Sequence, residues 1–314
     1  MNPPSVNLPV LVLVGPTAIG KTSLSIELAQ KFNCEIVSVD SMQVYKYMDI
    51  GTAKATRQEM KGIPHHLIDI VTPDIPYDAA RFSIDAASAI TSIHSKGKTP
   101  LLTGGTGLYL KTLFYGIFEE PTKDEIIRSR LKKRLEEEGA ESLQSELRAC
   151  DPESAARIHI NDTHRLLRGL EIYLTTGRTW SSFLKTDNSQ NKHKRYTKVL
   201  QIGLQTERET LYNRINMRTQ KMLAEDFEGE VRSLLNRGYS GNLKSMGSIG
   251  YRHMVAYLSG ETTYQEMQET LARDTRRYAK RQITWFKKTE ELNWIDINDK
   301  KRAVKLITSW LEQL

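Results

Sequence analysis

The apolar run Val10 to Val14 leads directly into Gly15-Pro16-Thr17-Ala18-Ile19-Gly20-Lys21-Thr22, and that loop leads directly into the helix-forming stretch Ser23 to Ala29. Strand, glycine loop and helix in this order make a phosphate cradle. Two glycines let the backbone wrap an anion, so that successive N–H groups and the start of the following helix point at it. Lys21 adds a full positive charge, and the Thr22 hydroxyl is placed to share a magnesium ion with the same phosphates. The loop therefore predicts a di- or triphosphate held by Gly15, Pro16, Thr17, Ala18, Ile19, Gly20, Lys21 and Thr22.

The alternation that follows agrees with this start. Val10–Val14, Glu35–Val39, His66–Ile70 and Pro100–Leu102 have strand character, with helical stretches Ser23–Phe32 and Ala79–His94 between them. Short apolar strands alternating with helices specify a parallel α/β sheet. From Lys123 to Thr176 the pattern becomes helical, with Ile126-Ile127, Leu131 and Leu135 and then Leu166, Leu167, Leu170 and Tyr173-Leu174 at helical spacing. Lys185 to Arg195 is polar, basic and without period, and is expected to be a linker. Strand character returns over Lys198–Leu204, and long helices are expected over Glu207–Asn236 and Thr263–Lys288. The expected fold is a P-loop NTPase-like parallel sheet flanked by helices. Residues 1–118 and 196–314 form the catalytic core, and 119–195 a mainly helical insertion domain.

Strand Glu35–Val39 ends in Asp40-Ser41-Met42-Gln43-Val44-Tyr45. Ligands of parallel sheets bind at the carboxyl ends of the strands, so Asp40 should lie beside the phosphate loop. Its carboxylate could cap the next helix, hold magnesium through water, or take a proton from a nucleophile. Ser41 and Gln43 beside it suit a flat polar ring. A second glycine turn, Thr103-Gly104-Gly105-Thr106-Gly107, follows strand Pro100–Leu102 and should form a third wall, with Thr106 donating to a developing negative oxygen.

The chain of 314 residues carries a net charge of +7, which permits a polyanionic partner. Arg208, Arg214 and Arg218 share one helix, and Arg273, Arg277, Lys280, Arg281 and Lys288 another, interleaved with Tyr278, Trp285 and Phe286. Arg128, Arg130, Lys132, Lys133 and Arg134, then His164-Arg165-Leu166-Leu167-Arg168, add positive charge to the insertion. Arginines in such geometry suit a diphosphate or an RNA backbone. Cys34 and Cys150 have no metal-ligand spacing and suit a reducing compartment. No window approaches about 18 uninterrupted apolar residues, so a soluble, cytoplasmic protein without a membrane partner is expected.

Taken together, the residues resemble the bacterial tRNA dimethylallyltransferase, or isopentenyl-tRNA transferase, family over nearly the whole chain. The resemblance rests on Gly15–Thr22, Asp40–Tyr45, Asp49-Ile50-Gly51-Thr52-Ala53-Lys54, Pro64-His65-His66-Leu67-Ile68-Asp69, Gly104-Gly105-Thr106, Ala156-Arg157-Ile158-His159, Ser248-Ile249-Gly250-Tyr251-Arg252 and Thr275 to Trp285. It implies transfer of a dimethylallyl group from dimethylallyl diphosphate to the exocyclic amine of the adenosine 3′ to the anticodon. The diphosphate, not ATP, then occupies the loop. Asp40 resembles the general base, and Lys21, Arg218, Thr106 and magnesium at Thr22 meet the charge of the leaving diphosphate. By similarity, the tRNA contacts are Asp40, Ser41, Met42, Gln43, Thr106, Arg128, His164, Arg165, Leu166, Leu167, Arg168, Ser245, Met246, Gly247, Ser248, Ile249, Gly250, Lys280, Arg281 and Gln282. A monomer gripping the anticodon stem-loop with its helical insertion is expected.

Three positions depart from the family pattern. Ala55 stands where proline is common, and His164 and His253 where glutamine is usual. The pair His65-His66 has no third ligand spaced to make a metal site. An adenylate isopentenyltransferase or a small-molecule kinase would use the same loop, but the helical insertion and the Thr275–Trp285 block weigh against both.

Overall fold

The computed structural model describes residues 6–116, 124–190 (side chains only to 185), 194–289 and 291–314. The chain divides into two compact units, one of Tyr115–Lys194 and the other of the described residues up to Phe114 together with Arg195–Leu314.

The larger unit is built on one sheet. In chain order its elements begin with β1 (Val10–Val14), α1 (Lys21–Lys31), β2 (Cys34–Val39), β3 (His65–His66), α2 (Ala79–Ser95), β4 (Thr99–Gly104) and α3 (Gly107–Tyr115). The smaller unit contributes α4 (Glu125–Cys150), α5 (Pro152–Arg157), α6 (Thr163–Thr176) and α7 (Trp180–Gln190). The larger unit resumes with β5 (Val199–Gln205), α8 (Arg208–Ala224), α9 (Phe227–Asn236), α10 (Tyr251–Leu258), α11 (Tyr264–Phe286), β6 (Leu292–Asp296) and α12 (Lys300–Leu311).

The strand order is β3-β2-β4-β1-β5-β6, and every pairing is parallel. All residues of β1 and β2 are buried, as expected of central strands covered by helices on both faces. Leu11 and Leu13 of β1 pack with Ile26 and Leu28 of α1, Leu211 and Ile215 of α8, and Ile307 of α12. Each such aliphatic side chain contributes about 1.5–3 kcal/mol, so the phosphate loop grows from a fully buried strand paired on both sides. Among the described residues no helix is long and apolar enough to cross a membrane.

Four features differ from the sequence expectation. The expected strand His66–Ile70 shrinks to His65–His66, because Leu67 (φ 63°) and Asp69 (φ 56°) turn the chain out of extended backbone. The expected helix Glu207–Asn236 is two helices: Asp226 adopts φ 66° and its carboxylate accepts from Gly229 N at 3.1 Å, starting α9 afresh. The expected linker from Lys185 is helical to Gln190, and 191–193 lie outside the described residues. Strand β6, paired with β5 at the sheet edge, was not expected, since five residues reading LNWID give no clean alternation.

The smaller unit has its own core. Leu131, Leu143 and Leu147 of α4 pack on Leu166, Leu167 and Leu170 of α6, the periodic residues of the sequence pattern. Gly139 (φ 81°) kinks α4.

Candidate active site

Three loops leave adjacent strands at one end of the sheet. Val14 of β1, Gly104 of β4 and Val39 of β2 stand side by side in register, so the Gly15 loop, the Gly105 turn and Asp40 all start at the same level. Neighbouring strands are about 4.8 Å apart, which places the outer two loops about 10 Å from each other. At Gly104 a Cβ would overlap the Val39 carbonyl, so the strands meet there only because no side chain intervenes. Gly105 N and Thr106 N both donate to Val39 O, at 3.2 Å each.

The phosphate loop is held from three sides. Ile19 is fully buried, and its carbonyl accepts from Arg214 Nη1 at 2.8 Å. Ala18 (φ 64°) and Gly20 (φ 106°) give the loop its left-handed turns. Gln282 of α11, buried, accepts from Thr17 N at 2.8 Å and donates from Nε2 to Gly105 O at 3.1 Å. One side chain thereby ties the two glycine loops together. It is a polar member of the buried stripe Leu271, Thr275, Ala279, Gln282, Phe286 of that helix.

Lys21 folds over the loop, donating to Gly15 O at 2.9 Å and Pro16 O at 2.8 Å. Burial of the ammonium lowers its pKa to about 7; Asp40 opposes that shift and Arg218 reinforces it. Arg218 is pulled down by burial as well, with Asp40 and Tyr278 opposing. Lys21 and Arg218 are thus crowded, with no bonded carboxylate on either among the described residues, and an arriving anion relieves both.

Asp40 ends β2 in a tight turn, its Oδ1 accepting from Met42 N at 2.8 Å and Gln43 N at 3.3 Å. Ser41 N donates to Thr106 Oγ1 at 3.2 Å, joining this turn to the second glycine turn. Gln43 is fixed by Ser38 Oγ, which donates to its Oε1 at 3.1 Å, and by its own Nε2, which donates to Thr52 O at 3.4 Å. The Tyr278 phenol is pushed up to about 12, by burial and then by the charge of Asp40. Asp40, Thr106, Lys21 and Arg218, the four expected catalytic groups, therefore belong to one cluster.

The remaining expected contacts divide by exposure. Gly247, Lys280 and Arg281 are exposed, and Ser248 and Ile249 half-buried. Ser245, Met246 and Gly250 are buried, Ser245 Oγ donating to Pro73 O at 2.7 Å. In the smaller unit Arg128 Nη2 meets His164 Nε2 at 3.3 Å, and His164 and Arg165 are exposed. Leu166 and Leu167 are core residues there, and Arg168 pairs with buried Glu171 at 3.0 Å. Sequence reasoning missed Glu230, whose carboxylate accepts from Asp49 N (2.8 Å), Ile50 N (2.7 Å), Gly51 N (3.1 Å) and Tyr251 Oη (2.6 Å). It fixes the Asp49–Lys54 turn, and nothing in its helical surroundings signals this.

For a metal, the described residues offer no cluster of three His, Cys, Asp or Glu side chains. Thr22 is exposed on the first turn of α1, where no acidic residue competes. A hydroxyl beside a phosphate loop fits magnesium held mostly by phosphate oxygens. His66 is engaged by Glu35 at 2.8 Å, a structural role.

The description "IPP transferase" fits residues 43–289, and "Isopentenyl transferase" fits residues 8–75. A tRNA dimethylallyltransferase of Desulfotalea psychrophila is 52% identical over 304 residues, covering 97% of this chain and 96% of its own. The Bacillus subtilis tRNA dimethylallyltransferase is 45% identical, covering 92% and 91%. Among solved structures, the tRNA isopentenylpyrophosphate transferase of Bacillus halodurans superposes with a TM-score of 0.71 at 38% identity, covering 97% of each chain. A eukaryotic dimethylallyltransferase acting on tRNA superposes with a TM-score of 0.80 at 31% identity, covering 98% of this chain and 80% of its own.

Proposed function

This chain belongs to the IPP transferase family, and on that premise we propose that it is a tRNA dimethylallyltransferase. It moves a dimethylallyl group from dimethylallyl diphosphate to the exocyclic amine of the adenosine 3′ to the anticodon and releases diphosphate. The observation that carries the assignment of roles is the shared level of the Gly15 loop, Thr106 and Asp40 at the ends of three adjacent strands.

The diphosphate lies on the amides of Gly15–Thr22, and Lys21 leaves the Gly15 and Pro16 carbonyls to meet it. As the bond between the allylic carbon and the diphosphate oxygen breaks, its electron pair departs with the diphosphate. Lys21, Arg218 and Thr106, oriented by Ser41 N, face that growing charge. The adenine amine forms the new C–N bond with its lone pair, and its proton passes to the Asp40 carboxylate. That amine is a weak nucleophile while its lone pair is delocalised, so much of the acceleration comes from positioning. Magnesium, held by Thr22 and the diphosphate, would neutralise negative charge on the leaving group.

The reactive base must leave its stack to reach Asp40, and Ser41, Met42 and Gln43 receive it. Gly247, Ser248, Ile249, Lys280 and Arg281 supply exposed contacts in the larger unit, over a floor of Ser245, Met246 and Gly250. In the insertion, Arg128, His164 and Arg165 reach the RNA while Leu166, Leu167 and Arg168 hold their helix. The protein works as a monomer in the cytoplasm.

The test is incubation of labelled dimethylallyl diphosphate with unmodified tRNA, with AMP, or with neither. Label in the adenosine beside the anticodon is expected; label in AMP alone refutes the RNA substrate. Phosphate transfer from ATP to a small acceptor, with no prenyl transfer, refutes the chemistry.

A further inference from the structure

Tyr47 is a bulky residue in a conformation that favours glycine. Its φ is 67°, the residue is 42% exposed, and it lies in the turn that carries the chain away from Asp40–Gln43. The ring stacks on Tyr239, with centroids 6.4 Å apart and planes 30° from parallel. The guanidinium carbon of Arg237 lies 4.4 Å from the Tyr47 ring centroid. Arg237 is itself exposed and Tyr239 half-buried.

Packing does not account for this arrangement. The backbone on either side is already fixed, Lys46 N donating to Val71 O at 2.8 Å and Lys54 Nζ to Tyr45 O at 2.9 Å. Glycine would serve the turn without strain, and an exposed ring gains little from burial. Backbone strain that the turn itself does not require is a reason to look for a function of the side chain.

Tyr47 follows Gln43 by four residues, and Tyr239 precedes Ser245 by six, so the stack lies along the chain between two segments assigned to RNA contact. Aromatic faces backed by a guanidinium are how proteins hold unstacked bases. The flanking Lys46, Asp49 and Ser240 are exposed and polar, which disfavours the apolar surround that a protein hot spot needs.

We propose that Tyr47, Tyr239 and Arg237 form a stacking platform for an unpaired base of the RNA substrate other than the adenosine that reacts. This rests on the tRNA substrate proposed above. It makes Tyr47 an RNA-positioning residue, outside the catalytic cluster.

The test compares Tyr47→Gly, which removes the ring and relieves the turn, with Tyr47→Phe, which keeps the ring. Tyr47→Gly is expected to raise the KM for tRNA about tenfold, with kcat at saturating tRNA and the KM for dimethylallyl diphosphate unchanged. Its thermal midpoint should equal or exceed that of the wild type, and Tyr47→Phe should keep the wild-type KM. An unchanged KM in Tyr47→Gly overturns the proposal and leaves the platform to a protein partner. A raised KM that comes with a lowered midpoint and lost kcat overturns it too, as structural damage. Absence of transfer by the wild type itself would instead defeat the proposed function.

Discussion

Strand β2 carries an acid at each end, and the two are set in opposite ways. Glu35, next to the amino end, is 2% exposed and bonded to an imidazole and two ammonium groups: His66 at 2.8 Å, Lys96 at 3.0 Å and Lys98 at 3.0 Å. Asp40, just past the carboxyl end, is half-buried and accepts from amides of its own turn, while Lys21 and Arg218 influence it across space. A saturated carboxylate has no remaining chemistry to offer and serves to fasten edge strand β3. A carboxylate held on one oxygen by its turn, near cations that have not closed on it, can still take a proton. The teaching is that charge near charge does not mark a site; incomplete pairing does.

The largest expected effect lies at the open end. Asp40→Ala should slow dimethylallyl transfer by about 10²–10⁴-fold, with tRNA affinity largely kept, as measured by single-turnover labelling and filter binding. If transfer persists at the wild-type rate, the distinction between the two acids collapses.

At the closed end, burial would raise the Glu35 pKa, but His66, Lys96 and Lys98 outweigh it and bring it from 4.5 down to about 2. A depressed carboxylate stabilises the fold fully above its unfolded value, and that stability disappears as pH falls from about 4.5 towards about 2. Glu35→Gln should therefore lower stability at neutral pH by about 3 kcal/mol and flatten the acid limb of a denaturant titration. Activity per folded molecule should not change, and a large loss of kcat would blur the contrast.

Gln282 joins the loops of the open end, so Gln282→Leu leaves Thr17 N–H and the Gly105 carbonyl without that partner, at about 1–3 kcal/mol. Calorimetry should show weakened diphosphate binding beyond any loss in thermal midpoint. Equal binding would mean that the phosphate loop keeps its shape unaided.

The smallest effect is a proton. Lys21 in the free protein titrates near 7, and a bound anion favours the ammonium, so binding above that pH must take up a proton. Diphosphate affinity should then fall by up to about tenfold per pH unit above 7, with proton uptake visible when buffers of different ionisation enthalpy are compared.

Much of the open end was legible in the sequence because its parts are local. The loop Gly15–Thr22 and the Thr103–Gly107 turn announce themselves through glycine, and Asp40 through its place after a strand. Val10–Val14 is set by its unbroken apolar run, and the helix at Ala79 by the pattern within one window. What was not legible depends on distant pairing. Gln282 meets Thr17 across 265 positions, and Glu230 meets Gly51 across 179. The expected strand at His66 failed for a different reason: Leu67 and Asp69 take left-handed backbone that their side chains do not advertise. Strand β6 is too short to carry a period and is fixed by its pairing with β5.

The most direct measurement is a crystal of the protein soaked with inorganic diphosphate and magnesium. The anion should lie on the amides of Gly15–Thr22, with Lys21 Nζ turned from the Gly15 and Pro16 carbonyls towards it and the Asp40 carboxylate facing the same cleft. A vacant loop under saturating diphosphate, or an Asp40 carboxylate directed away from the bound anion, would contradict the division of labour along β2.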